Sequence, residues 1–431
     1  MRSGGSFAAA SIRFCPISPH RFRFAMSDVS VAAHRAERSS IHAGALGTAL
    51  LVFLAGLAYI DMTVSGRQAA LWIVGALLGM TLYHASFGFT SAWRRFIVDR
   101  RGAGLRAQMA MLALGVILFF PALSAGSLFG HPVAGYVVPA GTSVFIGAFL
   151  FGIGMQLGGG CASGTLFAIG GGSTRMLVTL FFFIVGSLIG TAHLTWWLSL
   201  PAPHSFSFIK TFGTVPAILI NLALFAGIAW FTVVAEKKRH GALVPDSASK
   251  RDAGPAWLVG PWPMWLGALA LAVLNFATLA LAGRPWGITS AFALWGAKGA
   301  AALGIDVVNW PYWHQQASAL AAPLSYDVTS VMDVGIVLGA LAAAALSGRF
   351  APVWRLPLRS LAAAVIGGLM LGYGARLAFG CNIGAFFSGI VSGSLHGWLW
   401  AVAAFLGSVV GTRLRPLFGL ANEKTVKPSG C

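Results

Sequence analysis

FGIGMQLGGGCASGTLF (residues 151–167) sets a cysteine between glycines at the end of an apolar run, and GYGARLAFGCNIGAFF (372–387) does so again. Aligned at one constant offset, the two stretches share three flanking glycines (Gly152, Gly154 and Gly160 with Gly372, Gly374 and Gly380). They also share the cysteine (Cys161 with Cys381), the following glycine (Gly164 with Gly384) and a Phe (Phe167 with Phe387). Downstream, Gly172-Ser173, Gly186-Ser187 and Gly190-Thr191 match Gly393-Ser394, Gly407-Ser408 and Gly411-Thr412 with the offset one residue larger. Upstream, Gly88-Phe-Thr90-Ser91-Ala92 echoes Gly287-Ile-Thr289-Ser290-Ala291. Glycine coincidences are cheap in a chain with 55 of them, but matching cysteines in the same order of blocks are not. The chain reads as a duplication.

Around these motifs the 431 residues are 57% hydrophobic and only 9% charged, with a mean hydropathy of +0.79. A soluble domain carries about 25% charged residues, so a soluble enzyme, a disordered chain and a disulfide scaffold are excluded. Windows of about 20 apolar residues, enough to cross about 30 Å of hydrocarbon, fall near 43–62, 68–87, 105–124, 143–158, 176–198, 214–235, 262–282, 328–347, 360–379 and 397–416. The expected fold is an all-α polytopic membrane protein of about nine or ten transmembrane helices plus short re-entrant helices.

The net charge of +18 invites a nucleic-acid partner, but its distribution follows the loops. Arg94, Arg95, Arg100, Arg101 and Arg106 cluster in 91–107, and Lys237, Lys238, Arg239, Lys250 and Arg251 in 236–260. Arg349, Arg355 and Arg359 follow in 348–359, and Arg413, Arg415, Lys424 and Lys427 near the end. Segments 122–142 and 305–327 contain no Lys or Arg, and 199–213 only Lys210. The positive-inside rule then places both termini in the cytoplasm. On this assignment the span before Cys161 enters from outside and the span before Cys381 from inside. The two copies would be inverted pseudo-symmetric repeats, an arrangement that secondary transporters use to build a site at the midplane. The stretch 284–304, with Arg284 and Lys298, fits poorly as a crossing and is expected to be re-entrant or interfacial.

The organisation expected is a polar N-terminal tail (1–42), a first transmembrane half (43–235), a basic cytoplasmic linker (236–261), a second half (262–420) and a C-terminal tail (421–431). Residues 1–25 are basic without a signal-peptide core, and Met26 opens a polar stretch typical of a cytoplasmic start. Translation is expected to begin there, which would remove Cys15. Four cysteines make no disulfide framework.

Each motif reads as a break in a helix, since glycine permits positive φ and close backbone approach. Such breaks are tolerated at membrane depth where they line a cavity. The N–H groups of Ala162, Ser163 and Gly164, and of Asn382, Ile383 and Gly384, then open short helices near 162–170 and 382–391. Helix N-termini attract anions through oriented donors and the macrodipole. The thiols of Cys161 and Cys381 are soft, weak donors suited to a sulfur-bearing anion. Matching cysteines in matching glycine motifs favour that reading over simple packing. Gln156 and Arg376 occupy equivalent positions, and an ionisable residue inside a span is a site candidate; His84 is another. No chain of carboxylates suggests a proton relay; Asp333, near a span end, is the one candidate for it, and facilitated passage is the default reading. Trp196, Trp197, Trp230, Trp262 and Trp265 read as interfacial. There is no C-x-x-C, haem, Walker A or H-E-x-x-H motif, and no cofactor or metal is expected.

FGIGMQLGGGCASGTLF (151–167) and GYGARLAFGCNIGAFFSGIVSGSLHGWLW (372–400) resemble the YeeE/YedE family of membrane proteins, which includes bacterial thiosulfate transporters. LYHASFGFTSAWR (82–94) and LRPLFGL (414–420) look like the same family, so the resemblance covers about residues 43–420. It implies an inner-membrane helical fold with a central constriction where the ion passes along cysteines by transient S–H contacts. Cys161 and Cys381 sit at two such positions. A third family cysteine corresponds to Gly88 here, and the family's preceding Gln-Arg to Tyr83-His84. The resemblance also implies a small TusA-like sulfur carrier as a cytoplasmic partner. The reading is a transporter or facilitator for a small sulfur-containing anion, most readily thiosulfate. The alternative is a membrane sulfurtransferase or thiol oxidoreductase using the same cysteines covalently, although no strong base stands beside them in sequence; a scaffold for a sulfur carrier is a third reading.

Overall fold

The computed structural model describes residues 41–244 and 259–422. The expectations for Met26, Cys15, the middle of the linker and the end of the C-terminal tail lie outside the described residues. In chain order the main helices are α1 (Ala43–Thr63), α2 (Gly66–His84), α3 (Phe89–Asp99), α4 (Ala103–Ala125), α5 (Thr142–Gly158), α6 (Ala162–Gly170) and α7 (Thr174–Leu198). After them come α8 (Thr214–His240), α9 (Met264–Ala282), α10 (Thr289–Ala302), α11 (Val328–Leu346) and α12 (Leu358–Leu377). A π-helical turn, Asn382–Phe387, leads into α13 (Ser388–Val391) and α14 (Leu395–Leu414). Among the described residues the one sheet is the pairing of Ser127–Leu128 with His131–Pro132.

Among the described residues ten segments are long and apolar enough to cross a membrane, and they fall on the ten windows legible from hydropathy. Their outward faces carry large apolar side chains, among them Leu51, Met62, Phe181 and Trp230. Such a surface is stable only against hydrocarbon. The protein is an all-α, multi-pass membrane protein.

The packing between its halves is reciprocal. Helix α7 lies along α12, α14 lies along α5, and α5 and α12 lie against each other. Likewise α11 packs on α2 and α9 on α4. Small residues let these backbones touch, as in membrane helices generally. A side chain at Gly186 would run into the backbone of Leu369, and one at Gly407 into that of Phe149. Ser187 Oγ donates to the Gly372 carbonyl at 3.5 Å, and Ser408 Oγ to that of Gly152 at 3.3 Å. Within each kind of contact the second repeats the first, since Gly186 aligns with Gly407, Phe149 with Leu369, Ser187 with Ser408 and Gly152 with Gly372.

The stretch expected to be re-entrant or interfacial forms α10, whose 14 residues extend about 21 Å, short of a full crossing. Its cations are occupied. Arg284 Nη2 donates to Thr329 Oγ1 at 3.1 Å, and Lys298 Nζ to the carbonyls of Leu320 and Ala322 at 2.6 and 2.7 Å. Asp333 is near a span end, in the second turn of α11, and is fully buried there.

Candidate functional site: two cysteine-capped helix breaks and a basic vestibule

Helix α5 stops at Gly158, Gly159 turns the chain at φ +93°, and Cys161 becomes the N-cap of α6. Carbonyls at such a stop lose their helical donors and need replacements away from water. Arg175, in the first turn of α7, supplies two, from Nη2 to Leu157 O at 2.7 Å and from Nη1 to Gly158 O at 2.6 Å. Cys161 Sγ accepts the Gly164 N–H at 3.4 Å and lies 3.4 Å from Ser163 Oγ. The thiol thus occupies one of the N–H groups the sequence leaves free for an anion.

The second break repeats this plan with different braces. Phe379 (φ +58°) and Gly380 (φ +150°) turn the chain after α12, and Cys381 caps the π-helical turn, accepting the Ile383 N–H at 3.4 Å. Single π turns inside helical segments are frequent at functional sites. The freed carbonyls of Leu377, Phe379 and Gly380 accept from Ser143 Oγ (2.8 Å), Tyr136 OH (2.8 Å) and Trp400 Nε1 (3.2 Å). Tyr136 sits in the loop after α4, and burial pushes its phenol up to about 12, so its hydroxyl remains a donor at neutral pH. Helix α6 touches the π turn, and the two thiols are within electrostatic reach of each other.

A cavity of about 910 Å³ opens onto the first break. Gly159, Gly160, Cys161 and Gly164 form one wall, Gly88 and Ser91 another, and Trp262 and Trp265 a third. Arg95, Arg101, Arg106 and Arg349 also line it, and among the described residues no Asp or Glu does. Arg106 is bound to Glu236 at 2.7 Å; the basic lining still makes this a vestibule that concentrates anions. Cys161 lies at its edge, whereas Cys381 is wholly buried and not part of its wall.

The other sequence candidates divide. Gly160 and Gly164 line the vestibule; Ala162 and Ser163 are buried behind it. Gly380, Asn382, Ile383 and Gly384 surround Cys381, and Asn382 leaves both side-chain amide atoms without a partner. Gln156 joins elements: it donates to Thr90 O at 3.3 Å, and its own carbonyl accepts from Arg415 Nη1 at 2.7 Å. Arg376 reaches Thr289 Oγ1 at 3.2 Å and Tyr312 OH at 3.4 Å. His84 packs against Trp262 with ring centroids 5.4 Å apart and planes tilted by 36°, and is not itself in the vestibule wall. Trp262 and Trp265 line the vestibule, and Trp196 and Trp230 are exposed. His396 bonds Ser394 Oγ at 2.7 Å. Neither histidine is a described hydrogen-bond partner of a thiol, whose partners are the Ser163 hydroxyl and backbone N–H groups. Sequence reasoning missed Arg175 as the brace of the first break and Arg349 as a vestibule residue.

Apolar crossing helices, interrupted by two paired breaks and opened by a basic vestibule, define a polytopic membrane transporter. The chain belongs to the Sulphur transport family (YeeE/YedE), whose profile it matches over residues 84–410. It is 30% identical over 350 residues to the thiosulfate transporter TsuA of Spirochaeta thermophila, covering 78% of this chain and 95% of that relative. It is 26% identical over 345 residues to the thiosulfate transporter TsuA of Escherichia coli, covering 78% of this chain and 91% of the relative. Over a shorter region, 171 residues, it is 34% identical to the probable transporter YedE of Escherichia coli, covering 38% and 41% of the two chains.

Proposed function

We propose that the protein passes thiosulfate across a bacterial inner membrane along Cys161 and Cys381, without changing it chemically. The observation that carries this is the pairing of the two thiols as helix caps, one at the edge of an anion-attracting vestibule and the other within its electrostatic reach. Each thiol is held by an N–H contact at 3.4 Å, an ordinary length for the weak hydrogen bond that sulfur accepts. A thiosulfate sulfur displaces it at little cost, and sites that let go easily are what conduction requires. The Ser163 and backbone partners of the thiols support S–H contact over nucleophilic attack, which needs an activating base. The protein then acts as a transporter rather than an enzyme.

In this reading the halves are inverted repeats, which the reciprocal glycine contacts of Gly186 and Gly407 support. The vestibule opens to the cytoplasm, as the Arg-rich loops around it suggest, and both termini lie on that side. Gly88, at the position of the family's third cysteine, is in the vestibule wall, so the route on this side widens there rather than offering another thiol. The basic mouth suits an acidic patch on a TusA-like carrier that collects the ion. Uptake of radiolabelled thiosulfate by proteoliposomes tests the reading: Cys161→Ala and Cys381→Ala each abolish it in folded protein, and retained uptake in the double variant refutes the relay.

A further inference from the structure

Asp333 is fully buried in α11, and neither carboxylate oxygen has a hydrogen-bond partner. A carboxylate left so in a membrane interior is costly and marks ion or proton pathways. Its position follows from how α11 packs. Met332, Gly335, Ile336 and Gly339 meet α2 so closely that side chains at Gly75 or Gly79 would strike the Met332 and Ile336 backbone. Val337, Ala340 and Leu341 meet α6 at Gly170. Asp333 stands one turn before Val337 on that second face, since residues at i, i+4 and i+7 line one side of a helix. The next glycine after α6, Gly172, meets Phe350, Ala351 and Pro352, so α6 and α11 run in the same direction. Following both backward from Gly170, the start of α6 at Cys161 and the Asp333 turn of α11 come to about the same depth. Asp333 is also within electrostatic reach of Cys381.

We propose that Asp333 is the proton-binding group of the transport cycle. This rests on the thiosulfate reading above. A fixed negative charge at the depth of both thiols repels an arriving dianion, whereas a protonated carboxyl is neutral and offers an O–H donor. A proton from the outer side forms the O–H bond before the anion reaches the thiols. That bond breaks toward the vestibule after the anion leaves, so one proton moves with each anion and two negative charges cross as one. Such coupling also offsets part of the membrane potential that opposes inward movement of an anion.

The groups around Asp333 agree with this. Asp327, the N-cap of α11, is within electrostatic reach of it, and Arg284 is bonded to Thr329, one turn earlier on α11, at 3.1 Å. Helix α6 carries no ionisable side chain beyond its cap, Cys161. On α2, Arg67 is engaged with His131 at 3.0 Å, and Tyr83 and His84 lie at the vestibule end. Helix α1 brings Tyr59 and Asp61, the turn at 324–326 brings Tyr326, and Lys298 of α10 is held by the carbonyls of Leu320 and Ala322. Among the described residues no cation is paired with Asp333.

Purified full-length protein in liposomes, with and without an acid-outside pH gradient, tests the proposal. The wild type accumulates radiolabelled thiosulfate under the gradient and acidifies the lumen, read by a trapped pH dye. Asp333→Asn loses gradient-driven accumulation by about tenfold or more but still exchanges internal for external thiosulfate, since it mimics the protonated state permanently; Asp333→Glu restores coupling with a shifted pH profile. Accumulation by Asp333→Asn equal to wild type overturns the proposal, and so does an unshifted profile in Asp333→Glu should the Asn variant not fold. Infrared difference spectra between neutral and alkaline pH, taken without any anion, show a carboxylic-acid band in wild type that Asp333→Asn lacks. If thiosulfate is not transported while that band is present, the substrate reading fails and the proton site stands; if the band is absent, the proton site fails.

Discussion

Arg376 donates from Nη2 to Thr289 Oγ1 at 3.2 Å, and its counterpart in the other half, Gln156, donates to the carbonyl of Thr90 at 3.3 Å. Thr90 and Thr289 are themselves equivalent in the alignment, so the helix before each cysteine is tied to the start of a short helix, α3 in one case and α10 in the other. The charge is therefore not what the position requires; the reach is. Arg376→Gln is expected to keep fold and flux within about twofold, whereas Arg376→Ala strands the Thr289 and Tyr312 hydroxyls and costs about 1–3 kcal/mol. Thermal unfolding in detergent beside uptake separates them, and equal loss in both variants would give the guanidinium a role of its own.

Arg175 holds the first break together by donating to two carbonyls at once. Arg175→Ala leaves the Leu157 carbonyl without this donor and the Gly158 carbonyl with only Thr179 Oγ1 at 3.3 Å, at about 1–3 kcal/mol. Lys offers one point charge in place of a fork and is expected to recover less than half of the loss. The readout is the midpoint of thermal unfolding; a fully stable Lys variant would contradict the two-carbonyl account.

Gly186 and Gly407 sit where any side chain meets backbone. Gly186→Val and Gly407→Val are each expected to destabilise by about 3 kcal/mol or more, since overpacking against a carbonyl cannot be relieved by a rotamer change. Gly227 has open space around its Cα, so Gly227→Ala is expected to be neutral or stabilising by about 0.5–1 kcal/mol. Unfolding midpoints of the three variants decide it.

The vestibule cations act through their field. Neutralising Arg101 and Arg349 together (Arg→Gln) is expected to slow anion uptake several-fold at low ionic strength, with the difference shrinking as salt screens it over about 10 Å at 0.1 M. A deficit independent of salt would point to direct contact instead.

Tyr136 has an alkaline signature. Its hydroxyl donates to the Phe379 carbonyl at 2.8 Å, and burial raises its titration from 10.0 to about 12. Above pH 10 the unfolded chain releases this proton while the folded one keeps it, so stability falls as pH rises toward 12. Tyr136→Phe is expected to be less stable at pH 8 and to show a shallower decline above pH 10. Denaturation across that range reads both.

The crossing helices were legible because hydrocarbon imposes one length and one composition on them, and all ten hydropathy windows carry a helix. The breaks were legible because glycine and cysteine repeat in order. What was not legible lies across space. Nothing local marks Arg175, in the opening turn of α7, as the donor for carbonyls that α5 leaves behind. Asp333 is near a span end, and only the packing of α11 against α2 and α6 encloses it.

Where the first break turns on Gly159, the second turns on Phe379, a residue with a Cβ held at φ +58°. A left-handed backbone costs such a residue about 1 kcal/mol or more that glycine does not incur. The two breaks are thus unequally sprung. The glycine turn can take many shapes at small expense, while the phenylalanine turn carries tension that Tyr136, Ser143 and Trp400 hold in place through the carbonyls around it.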